Sequence, residues 1–246
     1  MEHVLNIGKG SFGSAELMFN KIDFSFSVYK FIDNKFDVRD EILNHNFVSE
    51  HENIITLKSF GTYKDYHYIE MEYAENGDLF KYIKKNGNQS EDSIRFFMKH
   101  IFNAIEHCHD SAITHCDIKL ENILLDKNNI PKLTDFGYSK FKITPKKHVG
   151  TLQYMAPELF YTNYDISNKI DIYACGVCMY TLFYGRYPFI GKTDMESLRN
   201  IMMNKYRINY ENTSSEFIDL LERMFETDPD KRITVTEIKD HPWFNL

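Results

Sequence analysis

One short stretch carries most of the chemistry in this sequence: HCDIKLEN, at residues 115–122. Within six residues it supplies a carboxylate in Asp117, a cation in Lys119 and an amide in Asn122. Such groups can accept a hydroxyl proton, stabilise a transferring phosphoryl group and bind Mg²⁺ through oxygen. The stretch therefore indicates phosphoryl transfer, an interpretation that the rest of the chain must support.

Two further motifs follow the first one. The stretch TDFG at residues 134–137 offers Asp135 as a second hard ligand for a metal ion, and MAPE follows at residues 155–158. Each motif is weak by itself, and it is their order along the chain that makes them informative.

A glycine-rich motif, GKGSFG, lies at residues 8–13 and has the spacing G-x-G-x-x-G. In a dinucleotide-binding fold this motif must follow a strand and open a helix. Here the residues after Gly13 alternate between apolar and polar, which predicts a strand–turn–strand hairpin. Such a hairpin suits a flap over phosphates, because glycines let backbone N–H groups approach closely. An ordinary glycine turn is the alternative.

A lysine and a glutamate are candidates for a buried ion pair. Lys30 lies in a predicted strand at a position that points inward, where its ammonium needs an anion, either a carboxylate or a phosphate. Glu41 is the only acid on the apolar stripe of a helix predicted for residues 37–50. The alternatives are a surface lysine at a strand edge and a glutamate at the edge of the stripe.

The apolar periodicity divides the chain into two parts. Alternation predicts strands up to about Tyr73, including strands at residues 54–57 and 67–73, and turn residues follow at 75–78. Beyond them we expect helices: one capped by Ser90, a buried one at 172–183, and a last one opened by a capping box at 234–237. Two lobes that meet at a turn would form a ligand-binding cleft.

Composition excludes several classes of protein. The 246 residues carry 29 Lys+Arg and 36 Asp+Glu, a net charge of −7, which argues against general nucleic-acid binding. Aromatic residues make up 15%, which argues against disorder. The opening MEHVL is unlike a secretory signal, and no apolar run reaches the roughly 18 residues of a membrane helix. We expect an intracellular protein of the cytoplasm or nucleus that does not bind membranes.

Four cysteines, with no framework of regular spacings, suit a reducing compartment. Cys175 and Cys178 have the spacing C-x-x-C, but they lie in the apolar helical run. We expect them to pack in the core, and a redox or metal site is the alternative.

The ordered set of motifs resembles that of eukaryotic protein kinases, over essentially the whole chain. The resemblance implies an α+β, bilobal fold: a small N-lobe with an antiparallel sheet and one main helix, and a larger helical C-lobe. It implies a single domain over residues 1–246, with the N-lobe at about 1–73, the hinge at about 72–76 and the C-lobe at about 77–246. ATP, Mg²⁺ and protein substrates are implied with it.

The resemblance also assigns roles. Asp117, Lys119 and Asn122 resemble the catalytic set, and Asn122 and Asp135 resemble the Mg²⁺ ligands. Met71 resembles the gatekeeper, and Glu72 and Ala74 take the positions whose backbone meets adenine. The nucleotide-binding set so implied comprises Ile7, Gly8, Gly10, Phe12, Gly13, Ala15, Val28, Lys30, Glu41, Met71, Glu72, Ala74 and Leu124. Two bracing contacts in the large lobe are implied as well, from Glu158 to Arg232 and from Asp171 to the catalytic loop.

The spacing of Lys119 and the stretch GTLQYMAPE at residues 150–158 resemble serine/threonine kinases. The stretches HENII, NGDLF and DHPWF, at residues 51–55, 76–80 and 240–244, are similar to the calmodulin-dependent, AMP-activated and checkpoint kinase group. Asp78 and Glu121 lie at positions where related kinases bind substrate arginines on the amino-terminal side of the acceptor residue. A basic substrate is therefore expected. The alternative is that both are solvated surface acids.

The sequence also departs from the family pattern. Cys116 replaces the usual arginine that meets a phosphorylated activation loop, so we expect activity without obligatory phosphorylation, with Thr144 as the acceptor indicated by position. His45 takes a helix position usually filled by a packing leucine near Phe136 and His115. Two other functions stay open. A pseudokinase or scaffold would be expected to lack one of the key acids or the lysine, and a small-molecule phosphotransferase would be expected to lack the 151–158 motif.

Overall fold

The computed structural model describes residues 1–9, 13–141, 151–161 and 167–245. Five strands form one antiparallel sheet in the N-lobe, in the order β1-β2-β3-β5-β4. They are β1 Glu2–Lys9, β2 Gly13–Asn20, β3 Ser25–Asp33, β4 Leu57–Tyr63 and β5 Tyr66–Glu72. Since β1 pairs with β2, the glycine-rich motif lies between two strands and not ahead of a helix, as the alternation predicted.

The strand predicted at residues 54–57 is wrong in position. β4 begins only at Leu57, and Ile54 forms no more than an isolated bridge with Leu133. Ile54 and Ile55 are almost fully buried, and the backbone N–H of Ile55 donates to the carbonyl oxygen of Leu133 at 2.9 Å. An apolar run therefore resembled a sheet strand in the sequence, although its partner lies in the other lobe.

One helix, α1 Arg39–Val48, packs under the sheet and confirms the predicted helix within two residues at each end. The small core of this lobe consists of Ile32, Val38, Ile55, Leu57, Ile69, Met71 and Ala74, with Val28, Ile42 and Leu124 packed against it. Leu124 comes from the C-lobe, so the core of the N-lobe reaches across the cleft.

The rest of the described chain is mainly helical. Its helices are α2 Leu79–Asn86, α3 Glu91–Asp110, α4 Lys169–Tyr184, α5 Asp194–Met202, α6 Ser215–Met224 and α7 Val235–Lys239. Four short strands form two antiparallel pairs, β6 Ile113–Thr114 with β9 Lys140–Phe141 and β7 Ile123–Leu125 with β8 Pro131–Leu133. Within the described ranges, no helix combines the length and apolar character that crossing a bilayer requires.

Local signals set the helix ends that the sequence predicted. The Ser90 hydroxyl accepts the N–H of Ser93 at the start of α3, and Thr234 and Glu237 form the capping box of α7. α4 is buried on nearly every side, so it forms the centre of the C-lobe. Cys175 and Cys178 lie in it as buried free thiols, and burial raises the pKa of both well above its ordinary value.

An ion pair in the C-lobe core joins distant parts of the chain. The Arg232 guanidinium donates two hydrogen bonds to the Glu158 carboxylate, at 2.6 and 2.8 Å, and both side chains are fully buried. The same guanidinium donates to the carbonyl oxygens of Glu226 and Lys169 at 2.9 and 2.8 Å. A buried pair with this many hydrogen bonds stabilises the fold only while both members are present.

We therefore predict that Arg232→Met lowers the free energy of unfolding by about 3–5 kcal/mol, because it leaves the Glu158 carboxylate buried without a cation. Denaturant titration of the purified protein measures the change. The matched control is Lys231→Met, since the adjacent lysine is largely exposed and forms a surface ion pair with Asp228. We expect that control to change stability by less than about 0.5 kcal/mol. An Arg232 variant as stable as the control would contradict the prediction.

Candidate active site

Three elements meet at the Lys30 ammonium, which lies in the cleft between the lobes. From β3, Lys30 Nζ donates to Glu41 Oε1 of α1 at 2.6 Å and to Asp135 Oδ1 at 2.9 Å. Asp135 follows β8 and has a left-handed backbone (φ 66°), a conformation that non-glycine residues adopt rarely. This contact joins the sheet, the helix and the TDFG segment at one point.

The charges of this triad depend on one another. Burial by itself would lower the pKa of Lys30, but Asp135 and Glu41 raise it above its ordinary value, so the lysine stays protonated. Burial would raise the pKa of Asp135, yet the Lys30 ammonium holds it below its usual range. Burial raises the pKa of Glu41, and Lys30 opposes that rise. The site therefore holds a permanent cation beside an ionised Asp135.

The three residues of the HCDIKLEN stretch also come together. Asp117 Oδ2 accepts hydrogen bonds from Lys119 Nζ at 2.6 Å and from Asn122 Nδ2 at 3.0 Å. Asn122 Nδ2 also donates to the Asp117 carbonyl oxygen at 2.9 Å, and Lys119 Nζ donates to Thr151 Oγ1 at 3.3 Å. Asp117 is 3% exposed, and the two bonds to Oδ2 hold its carboxylate in one orientation.

A buried aspartate on α4 supports the backbone of this loop. The Asp171 carboxylate, from α4, accepts the backbone N–H groups of His115 and Cys116, both at 2.9 Å. His109 Nε2, from α3, lies 3.0 Å from Asp171 Oδ2. Cys116 has a left-handed backbone (φ 67°), and the two bonds to Asp171 hold the chain in that strained conformation.

Apolar side chains of the N-lobe sheet lie next to the triad. Val28 lies across from Leu17 on β2 and Met71 on β5, and Ala15 lies across from Lys30. A Cβ at Gly13 would overlap the carbonyl oxygen of Phe31, so that position needs glycine. Gly8 lies on β1 opposite Ala15, and Ile7 is exposed beside it. Gly10 and Phe12 lie outside the described residues.

Comparison with protein families matches residues 1–244 to the protein kinase domain. The chain belongs to the protein kinase family. It is 41% identical to serine/threonine-protein kinase SRK2F of Arabidopsis thaliana over 254 residues, covering 97% of this chain and 72% of that protein. It is 39% identical to serine/threonine-protein kinase SAPK9 of Oryza sativa subsp. japonica over 257 residues, covering 99% and 71%. It is therefore a serine/threonine protein kinase that phosphorylates protein substrates.

A third relative, serine/threonine-protein kinase SRK2C of Arabidopsis thaliana, is 40% identical over 257 residues, covering 99% of this chain and 75% of that protein. These relatives are plant kinases of the SRK2 and SAPK type. The narrower assignment to the calmodulin-dependent, AMP-activated and checkpoint group therefore remains a prediction.

The kinase offers suitable ligands for the Mg²⁺ that its family uses. The amide nitrogen of Asn122 is bonded to Asp117, which fixes the side chain so that its oxygen is the group left for a metal. Asp135 adds a carboxylate. One amide and one carboxylate oxygen fit a small hard cation that draws its remaining ligands from water and phosphate.

Two contacts of Glu72, with Lys132 and with Thr56, were missed by the sequence analysis. Lys132 Nζ, from β8, contacts Glu72 Oε1 at 2.8 Å, and the N–H of Thr56 donates to Glu72 Oε2 at 3.1 Å. The carboxylate of Glu72 is thus held by a C-lobe lysine and by the backbone just before β4. No local pattern indicates this contact, because Lys132 lies far from Glu72 in sequence. His109, the partner of Asp171, was missed for the same reason.

The Phe136 ring lies between two histidines, as the sequence suggested. His45 stacks on it at 4.8 Å between centroids, and His115 meets it edge-on at 4.8 Å. His45 Nε2 lies 2.6 Å from the Ile55 carbonyl oxygen, so this nitrogen carries the proton. Burial lowers the pKa of His45 from 6.5 to about 4, and the ring is therefore neutral at physiological pH.

This buried histidine predicts a pH dependence of stability. Between pH 6.5 and about 4 the unfolded chain binds the proton and the folded kinase does not, so stability falls as the pH falls. His45 alone should cost about 2 kcal/mol between pH 7 and pH 5. Denaturant titrations of the wild type and of His45→Leu at both pH values measure this contribution. The free energy of unfolding should fall by about 2 kcal/mol more in the wild type than in the variant. An equal fall in both proteins would show that His45 does not titrate in this way.

Proposed function

We propose that this protein kinase is catalytically active and transfers the γ-phosphoryl group of ATP to serine and threonine hydroxyls. The observation that carries the proposal is the simultaneous contact of Lys30 with Glu41 and Asp135. Because the three groups come from β3, α1 and the TDFG segment, their contact requires that each element is in its working position.

Asp117 is the residue proposed to act on the acceptor. Its carboxylate would accept a hydrogen bond from the substrate hydroxyl and orient the oxygen for in-line attack. Lys119, 2.6 Å away, would stabilise the charge that develops on the transferring phosphoryl group. Thr151, which contacts Lys119, would lie next to the transferring phosphoryl group. Bound Mg²⁺, held by Asn122 and Asp135, would neutralise phosphate charge.

The nucleotide would lie under the β1–β2 hairpin. Lys30 would grip the α- and β-phosphates, held in place by Glu41, and the backbone N–H groups near Gly8, Gly10 and Gly13 would approach the phosphates. The backbones of Glu72 and Ala74 would meet adenine. The apolar side chains proposed to enclose the base are Ile7, Phe12, Ala15, Val28, Met71 and Leu124.

Two other proposals concern organisation and compartment. We treat residues 1–246 as a single domain, with the hinge at about 72–76 between the last strand of the sheet and α2. The four cysteines are free and buried, which supports a reducing compartment and hence an intracellular site of action.

A pseudokinase is disfavoured by the intact acid and lysine contacts, since such a protein need not keep Lys30, Asp117 and Asp135 in place. A small-molecule phosphotransferase is disfavoured by the 151–158 segment, whose Glu158 forms the buried pair with Arg232. One assay separates all three functions.

In that assay the purified kinase is given γ-labelled ATP, Mg²⁺ and separate panels of proteins, serine/threonine peptides and small alcohols. We expect label on proteins and peptides, and a loss of about 10²- to 10⁴-fold for Asp117→Asn, which cannot accept the hydroxyl proton. Asp110→Asn, an exposed aspartate at the end of α3, is the matched control and should retain full activity. Label on small alcohols alone would support the phosphotransferase, and no label on any panel the pseudokinase.

The same peptides test the proposed preference for arginine before the acceptor. Asp78 already caps α2 through the N–H of Lys81 at 2.7 Å and pairs with Lys81 Nζ at 2.9 Å. A substrate arginine would have to replace that lysine, whereas among the described residues Glu121 accepts one long hydrogen bond, from the Tyr154 hydroxyl at 3.3 Å. We propose that Glu121 contributes more, and a profile without arginine preference would remove this part of the proposal.

We propose, finally, that activity does not require loop phosphorylation. Cys116, in place of the usual arginine, is buried and bonds the Thr114 carbonyl oxygen through its thiol at 3.5 Å, so it offers no cation to a phosphate. Thr144, the acceptor indicated by position, lies outside the described residues.

The prediction is that Thr144→Ala and phosphatase-treated wild type turn over peptide at rates comparable to untreated wild type. Steady-state kinetics with mass spectrometry of the loop measure this, with Asp117→Asn as the inactive reference. Loss of turnover in the Thr144 variant at unchanged stability would show that the phosphate is required.

A further inference from the structure

The helix α1 has an unusual distribution of side chains. Its buried, inward face carries Asn44 and His45 beside Val48, while Leu43 and Phe47 on the outward face are 66% and 65% exposed. An amphipathic helix of a globular protein ordinarily places its apolar side chains inward. In this protein polar groups occupy part of that face, so apolar burial alone does not explain why the helix lies where it does.

Each buried polar side chain on α1 has a partner outside the helix. Asn44 Nδ2 donates to the carbonyl oxygen of Ser139 at 3.2 Å and to its hydroxyl at 3.0 Å. The Ser139 hydroxyl in turn donates to the Phe136 carbonyl oxygen at 2.6 Å. Asn44 is therefore tied to the segment that directly follows Asp135, Phe136 and Gly137.

His45 contacts two other parts of the lobe. Its Nε2 donates to the Ile55 carbonyl oxygen at 2.6 Å, just before β4, and its ring stacks on Phe136. The charged or titratable groups that act on the ring are Lys30, His115 and Asp135, and the ring stays neutral among them. The ring donates this bond while its face lies on Phe136, and the two contacts together fix its orientation.

Glu41, Asn44 and His45 follow one another at the spacing i, i+3, i+4, and so they share one face of α1. Hydrogen bonds are directional and lose most of their strength when geometry fails, whereas apolar contacts tolerate sliding and rotation. Three polar residues with separate partners therefore fix both the position of α1 along its axis and its rotation about that axis.

We propose that Asn44 and His45 are positioning residues that hold α1 inward by their hydrogen bonds to Ser139 and Ile55, so that Glu41 stays within reach of Lys30. The inference rests on the proposed function for its kinetic consequence, but the placement of the helix can be measured without turnover. The positioning residues act through Glu41, which is the group that contacts Lys30.

The first test is amide hydrogen exchange, followed by mass spectrometry, on the whole chain. In Asn44→Ala we expect the amides of α1 to exchange roughly tenfold faster, because local opening of the helix no longer breaks the bonds to Ser139. The amides of α3 should be unchanged, which separates local release from general destabilisation. Asn46→Ala, an exposed asparagine on the same helix, is the matched control and should behave as wild type.

The second variant pair tests whether His45 acts through its hydrogen bond. His45→Leu keeps an apolar group against Phe136 but removes the N–H, and it should accelerate exchange in α1. His45→Gln restores an N–H donor at a similar reach and should recover part of the protection. If leucine protects the helix as well as histidine does, packing and not the hydrogen bond holds α1.

The third test joins these residues to catalysis. We expect Asn44→Ala to lower kcat/KM about 10- to 100-fold through misplacement of Glu41. In a Glu41→Gln background the same change should cost almost nothing further, because the residue through which it acts is already lost. Additive losses, or exchange in α1 equal to that of Asn46→Ala, would overturn the proposal. A wild-type chain without turnover would overturn the proposed function instead, and the exchange comparison would still decide whether α1 is held in this way.

Discussion

The Lys30 ammonium, 2.6 Å from Glu41 and 2.9 Å from Asp135, is the contact on which the arrangement of the cleft depends. A largely buried ammonium is costly unless carboxylates surround it, and a largely buried carboxylate is costly without a cation. Any shift of α1 or of the TDFG segment away from β3 would leave charges without partners. The positions of a helix and a loop are thereby coupled to one strand.

The C-lobe offers a contrasting, rigid base. Asp171 holds the backbone of His115 and Cys116 from within the buried helix α4, and Glu158 holds Arg232 in the same core. These bonds are surrounded by large apolar side chains, so the catalytic loop can keep a strained left-handed residue at Cys116. Catalysis by positioning needs such a support, since small displacements of Asp117 would weaken in-line attack.

The polar inner face of α1 bears on how this kinase would be regulated. Buried polar groups contribute little net stability, but they favour one geometry over its neighbours when every partner is present. A helix held by Asn44 and His45 would be specific in position and sensitive to loss of a single bond. With Cys116 in place of an arginine, this arrangement agrees with a kinase whose helix is held by its own bonds more than by a phosphorylated loop.

The sequence by itself determined the family, the order of the motifs, the hairpin nature of the glycine-rich segment and the points where α3 and α7 begin. These features follow from short-range rules, namely alternation, helical spacing, capping and the identity of a few chemically necessary residues. Tertiary structure alone decided which partners Lys132, His109, Asn44 and Ser139 would meet, and it moved Ile54 and Ile55 out of the sheet toward Leu133. The reason is physical: a buried polar or apolar group is satisfied by whatever the fold brings near it, and neighbours distant in the chain leave no local pattern.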